Sequence, residues 1–203
     1  MTAVKICGVT TVADAVLAAE LGASAIGLIF WPGSPRAIDR ARAKTIVASL
    51  PPFVGAVGVF VNQTSEAAEL AHDVGLTAVQ FHGDESVESY RSFPMRVIKS
   101  VAVRDRTACG TAAAVPANAT VLLDAHDPVA RGGTGRPIDW TIAEAIARTR
   151  PVILSGGLDA SNAAAAVTAV RPYALDVSSG VESAPGRKDP AKLRDLFAVL
   201  RTL

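Results

Sequence analysis

The chain has little of several things, and each shortage removes a class of protein. Its 203 residues hold two cysteines, Cys7 and Cys109, far apart and with no histidine or second cysteine at metal-ligand spacing beside them. This predicts two free thiols, no disulfide framework and no structural metal. Neither sign of charge is in excess: 20 Lys and Arg stand against 19 Asp and Glu, for a net charge of +1. Nucleic acid is therefore not expected as a partner, because binding to a phosphate backbone draws on a basic face. Apolar runs stay well short of the roughly 18 residues that cross a bilayer, so no membrane association is expected either. Met1 leads within a few residues into a strand-like segment rather than a signal peptide, which predicts a cytoplasmic protein. Linkers, low-complexity tracts and charge runs are missing too, and residues 1–203 read as one domain.

What is present is a chain that is 50% apolar with only 5% aromatics, the usage of a compact α/β protein. Eight short runs rich in Val and Ile recur: Val4 to Cys7, Ala25 to Phe30, Ala56 to Val61, Ala78 to Phe81, Arg96 to Val101, Thr120 to Asp124, Val152 to Leu154 and Ala174 to Val177. Between them lie apolar stripes at helical spacing, such as Val12, Ala15, Val16 and Ala19, or Leu193, Leu196, Phe197 and Leu200. Gly22 and Gly75 sit where helices should stop, and Thr64-Ser65-Glu66 and Ser161-Asn162 look like helix starts. The fifth helix, Asp105 to Ala114 with Gly110 inside it, is expected to be the weakest. Eight βα repeats in about 200 residues describe a (β/α)8 barrel of near-minimal length. A doubly wound open sheet is the alternative.

In a barrel the C-terminal strand ends carry the chemistry, and the polar residues gather there: Lys5, Cys7, Arg36, Asn62, His82, Lys99, Asp124, Ser155 and Asp176. Asp124 ends an apolar strand, so its carboxylate is either satisfied by a neighbour or kept for proton chemistry. Lys5 precedes Cys7 by two and shares its face, and an ammonium there favours a thiolate that could act as base or nucleophile; the bland reading is a buried structural thiol. Arg36, in a loop stiffened by Pro32 and Pro35, suits a planar carboxylate or a surface ion pair. His82 is expected to position rather than to react, and Cys109 to be structural. The paired turns Ser155-Gly156-Gly157 and Ser178-Ser179-Gly180 end strands seven and eight, where barrels bind phosphate through backbone N–H groups. Gly133, Thr134 and Gly135 follow Asp124 and add a further glycine loop beside the anion. A Walker A loop and a dinucleotide fingerprint are both missing, so no nucleotide cofactor is indicated. Acid and anion cradle together suggest a small phosphorylated substrate.

Taken in order, KICGVT, GLIFWPGSPR, VGVFVN, VQFHGDE, LLDAHDPVARGGTGRPIDW, LSGGL and DVSSGVESAPGRKD resemble the phosphoribosylanthranilate isomerase family of tryptophan biosynthesis over nearly the whole chain. Ser155, where the family more often has Ala, and Ile138, where it often has Phe, are mild departures. The resemblance implies an Amadori rearrangement of an aminoaldose to an aminoketose with no cofactor. Within it Asp124 would be the general acid, its pKa raised by burial, and Cys7 the general base, with Lys5 favouring its thiolate. Arg36 would hold the anthranilate carboxylate, Gly156, Gly157, Ser179 and Gly180 the phosphate, and Gly133 to Gly135 would close over it. The expected partner is the small phosphorylated substrate alone, with the chain a monomer or homodimer. Rival barrels fit less well: the next synthase of the same route would need a strand-end Lys and Glu pair, and a sugar-phosphate isomerase of histidine synthesis two aspartates. A non-catalytic phosphate-sensing barrel would not need both Cys7 and Asp124.

Overall fold

The computed structural model describes residues 2–125 and 138–203. Among them eight parallel strands close into a barrel in sequence order: β1 Ala3–Cys7, β2 Ala25–Ile29, β3 Gly55–Phe60, β4 Ala78–Phe81, β5 Arg96–Ala102, β6 Ala119–Asp124, β7 Val152–Leu154 and β8 Ala174–Val177. The bonds between β1 and β8, with Lys5 opposite Asp176, close the cylinder and exclude the open sheet. Each expected strand lies within a residue of its observed bounds at either end.

The helices are α1 Val12–Leu21, α2 Arg40–Ala48, α3 Thr64–Val74, α4 Val87–Arg91, α5 Thr107–Ala114, α6 Trp140–Ala147, α7 Ala163–Val170 and α8 Pro190–Leu200. Gly22 and Gly75 end α1 and α3 in the left-handed conformation, as glycine allows without a Cβ clash. The expected helix starts need two corrections. Gln63, not Thr64, holds the cap position of α3, and it makes no side-chain capping bond. Asn162 precedes α7, but its side chain bonds Gly157 O and Asp159 N instead, bracing the turn after β7 rather than the helix. The fifth helix is short but not the shortest. Its start is tied by Asp105, and Arg150 reaches the carbonyl of Ala112 in its last turn and those of Val115, Pro116 and Ala119 beyond its end. With five residues, α4 is shorter, because Gly83 and Glu85 are used in a strap ahead of it and Pro94 follows soon after it. Among the described residues no helix is long and apolar enough to cross a membrane.

Two cores divide the apolar side chains. The larger lies between sheet and helices and holds Ile6, Leu28, Phe81, Leu123, Leu154, Leu193 and Leu196. The smaller fills the barrel: Val57, Ala78, Ile98, Leu122, Ile153 and Ala174, with Ala3 and Ala25 against them. Strands alternate faces with a period of two. The inward residue after each of these along β1, β4, β6 and β8 is therefore Lys5, Gln80, Asp124 or Asp176. An apolar plug thus supports a layer of buried polar groups at the strands' C-terminal ends.

Candidate active site

That polar layer is built by strands far apart in sequence. Lys5 Nζ donates to Asp176 Oδ1 on the neighbouring β8 at 2.9 Å and to Gln80 Oε1 across the barrel at 2.9 Å. Burial opposes the Lys5 charge, but Asp176 and then Cys7 outweigh it, and its pKa is pushed up to about 12. Gln80 Nε2 lies 2.9 Å from His82 Nδ1, and His82 Nε2 lies 3.2 Å from Asp124 Oδ2. The other Asp124 oxygen accepts from the Ala125 amide at 2.8 Å. Asp124 is 4% exposed, and both oxygens of this carboxyl at a strand tip lie against neighbouring groups.

Cys7 is buried at the end of β1. Gly27 on β2 makes room for it: a Cβ there would lie 2.8 Å from Cys7 Sγ. The expected lowering of the thiol pKa does not win. Burial pushes the Cys7 thiol up and Asp176 adds to it, while Lys5 and Lys188 pull the other way without prevailing. Lys5 acts in the expected direction, yet most of its charge is engaged by Asp176 and Gln80.

Arg36 is 8% exposed and belongs to a buried ionic cluster. Its Nε and Nη2 donate to both oxygens of Glu182, the shortest contact being 2.7 Å. Lys188 Nζ reaches Glu182 Oε1 at 2.9 Å, and also the carbonyls of Cys7 at 2.6 Å and Ser178 at 3.1 Å. Burial alone would raise the Glu182 carboxyl, but Arg36 and Lys188 hold it below the usual carboxylate range. Glu182 occupies the Nε and Nη2 edge of the guanidinium, and among the described residues no acceptor takes Nη1. Gly8, at φ 70°, keeps β1 clear of it, since a Cβ there would meet Arg36 Cδ at 2.5 Å.

The two glycine turns lie side by side. Gly156 and Gly157 have φ of 95° and 63° after β7. A 3-10 turn, Ser179–Val181, follows β8, and a Cβ on Gly180 would fall on the Leu158 carbonyl. The turns pack so closely that only glycine fits at position 180, and among the described residues no acceptor takes the Gly156 or Gly157 amide.

The remaining strand-end residues are structural or lie elsewhere. Lys99 Nζ bonds Glu85 Oε2 at 2.7 Å, and Glu85 Oε1 accepts from the amides of Asn62 and Gly83, which straps the segment after β4 behind His82. Cys109 is a free, half-buried thiol in α5. Gly133, Thr134, Gly135 and His126 lie outside the described residues. Among the described residues no three His, Cys, Asp or Glu side chains converge as metal ligands. Sequence reasoning missed Gln80, Glu182 and Lys188. Gln80 carried a signal, because it stands two residues before His82 and so shares its face; the other two sit in a quoted motif with nothing to mark their partners.

Residues 4–199 match the family model described as N-(5'-phosphoribosyl)anthranilate isomerase. The protein of that name from Geobacter metallireducens is 48% identical over 198 residues, covering 97% of this chain and 98% of its own. The crystal structure of phosphoribosyl anthranilate isomerase from Thermotoga maritima superposes with a TM-score of 0.93 at 39% identity, covering both chains fully. A crystal structure of phosphoribosyl anthranilate isomerase in complex with reduced 1-(o-carboxyphenylamino)-1-deoxyribulose 5-phosphate superposes with a TM-score of 0.90 at 38% identity, again over both whole chains. The chain belongs to the N-(5'-phosphoribosyl)anthranilate isomerase family.

Proposed function

We propose that this protein catalyses the Amadori rearrangement of N-(5-phosphoribosyl)anthranilate to 1-(2-carboxyphenylamino)-1-deoxyribulose 5-phosphate in tryptophan biosynthesis, using Asp124 and Cys7. The observation that carries the residue assignment is the placement of one carboxyl and one thiol on β6 and β1, at the rim of one buried polar layer, beside two glycine turns. The reaction needs an acid, a base and a hold on each end of the substrate.

Asp124 gives its proton to the furanose ring oxygen. The C1′–O bond breaks as the anthranilate nitrogen lone pair forms C1′=N, which leaves an open-chain Schiff base. Cys7, as thiolate, takes the proton from C2′, and the electron pair of that C–H bond becomes C1′=C2′ while the nitrogen recovers its own pair. The enolamine so formed loses the proton of its C2′ hydroxyl and gains one at C1′, giving the ketone. Each proton-transfer group is worth about 10² to 10⁴ in rate.

Arg36 offers its free edge to the anthranilate carboxylate, and Gly156, Gly157, Ser179 and Gly180 offer amides to the phosphate, with Gly133 to Gly135 assigned to the same end. Lys5 and His82 orient the base and the acid. Holding both remote ends spends binding energy on alignment, so those contacts affect turnover as well as affinity. The chain acts in the cytoplasm as a monomer or homodimer, with the small phosphorylated substrate as its partner.

The test is loss of anthranilate fluorescence with the substrate generated in place, set against N-ribosylanthranilate lacking the phosphate. Fast decay with the phosphorylated compound and far slower decay without phosphate is expected. Tight, phosphate-dependent binding with no decay would overturn the enzyme in favour of a sensor barrel.

A further inference from the structure

Gln80 is 1% exposed and touches two groups that differ in what they can do. Lys5 Nζ, at 2.9 Å, can only donate, so the Gln80 atom facing it is the amide oxygen. Asp176, 2.9 Å from the same ammonium, keeps Lys5 charged and aimed. The orientation of the Gln80 amide is thereby fixed, and its nitrogen faces His82 Nδ1 at 2.9 Å. An amide nitrogen only donates, so Nδ1 must accept and carries no proton. The ring proton then sits on Nε2, which lies 3.2 Å from Asp124 Oδ2. Ser100 Oγ, 3.4 Å from Nε2, accommodates this because a hydroxyl can accept. From Lys5 to His82 every link has one possible direction.

We propose that Gln80 is a positioning residue for the acid: it selects the Nε2–H tautomer of His82 and through it fixes the Asp124 carboxyl. The catalytic part of this inference rests on Asp124 being the acid; the tautomer part does not. With Ala125 N–H on Oδ1 and His82 Nε2 beside Oδ2, the carboxyl is held from both sides and keeps lone-pair positions facing away from His82. His82 itself cannot exchange tautomers, because a proton on Nδ1 would meet the Gln80 N–H.

The experiment uses protein labelled with ¹⁵N-histidine, in which only His72, His82 and His126 contribute. Two-bond ¹H–¹⁵N spectra at alkaline pH, assigned with His82→Asn, are expected to show a pyridine-like Nδ1 and a pyrrole-like Nε2 for His82. Gln80→Glu keeps the shape but places an acceptor at Nδ1, and should reverse that pattern. Its kcat should fall about 10- to 100-fold with KM changed about twofold or less, since Gln80 misaligns the acid without touching substrate. Gln80→Met, which can neither donate nor accept with strength, should give a mixture of tautomers and an intermediate kcat.

A wild-type His82 bearing its proton on Nδ1 overturns the proposal whether or not any variant folds. So does a folded Gln80→Glu protein that keeps the wild-type pattern or the wild-type kcat. Wild-type turnover in Asp124→Asn would instead remove the acid assignment and leave the tautomer result standing, so the two failures are distinguishable.

Discussion

Burial and the Asp176 carboxylate hold the proton on Cys7, Lys5 and Lys188 draw it off, and the balance leaves the thiol above its ordinary value of 9.0. The thiolate proposed as the base is thus a minority species near neutral pH, and its supply grows as pH rises. The sign is testable on the residue itself. The rate of Cys7 carboxymethylation, read by mass spectrometry, should climb about tenfold per pH unit between about pH 7 and 9. A plateau below about pH 8 would show a thiol poised by its lysines instead. The same scale explains a division of labour: Lys5 is charged and fully bonded, so its part is to orient Gln80 and Asp176 rather than to hand over a proton.

At the scale of elements, the strands were legible because each is a short Val- and Ile-rich run, and a parallel sheet buried on both faces needs such runs. The helix stops at Gly22 and Gly75 were legible for a local reason, since a left-handed residue there favours glycine. Helix starts were less so. Thr64 looks like a cap, but the backbone turns one residue earlier, at Gln63, and composition does not carry that offset. Site residues divide the same way. Cys7, His82 and Asp124 announce themselves at strand tips, whereas Gln80 pairs with a residue 75 positions away and Glu182 with one 146 positions away. Only the closed barrel brings those partners together. The 3-10 turn after β8 yields a prediction at this scale. Gly180→Ala would drive a Cβ onto the Leu158 carbonyl and to 2.9 Å from Asp159 Cβ, and backbone cannot yield as a flexible side chain can. The turn must open, and the inhibition constant for inorganic phosphate should rise about tenfold, the loss of roughly one good hydrogen bond. An unchanged constant would place the phosphate elsewhere.

At the scale of the whole molecule, two buried ionic groups brace the barrel: Lys5 on β1 with Asp176 on β8, and Arg36, after β2, with Glu182 and Lys188, after β8. Removing one charge from such a cluster leaves the others uncompensated. Glu182→Gln should therefore cost about 3 kcal/mol in chemical denaturation. The clusters also set a pH window. A carboxyl held below its unfolded value contributes stability that is present above about pH 4.5 and lost as pH falls through its lower folded value, which is the case of Glu182. A lysine held above its unfolded value contributes stability that is complete below pH 10.5 and lost as pH rises toward about 12, which is the case of Lys5. Stability of the wild type should be highest between these limits, and the acid limb should be shallower in Glu182→Gln. Parallel acid limbs in the two proteins would contradict the role given to Glu182.

The central claim is that one carboxyl on β6 and one thiol on β1 of this barrel move the protons of the rearrangement. Its most direct test is the turnover of phosphoribosylanthranilate, generated in place and followed by fluorescence, in wild type, Asp124→Asn and Cys7→Ala. Both variants should melt cooperatively with wild-type circular dichroism and still bind substrate, while kcat falls by at least about 10² in each. Wild-type kcat in either folded variant would contradict the account.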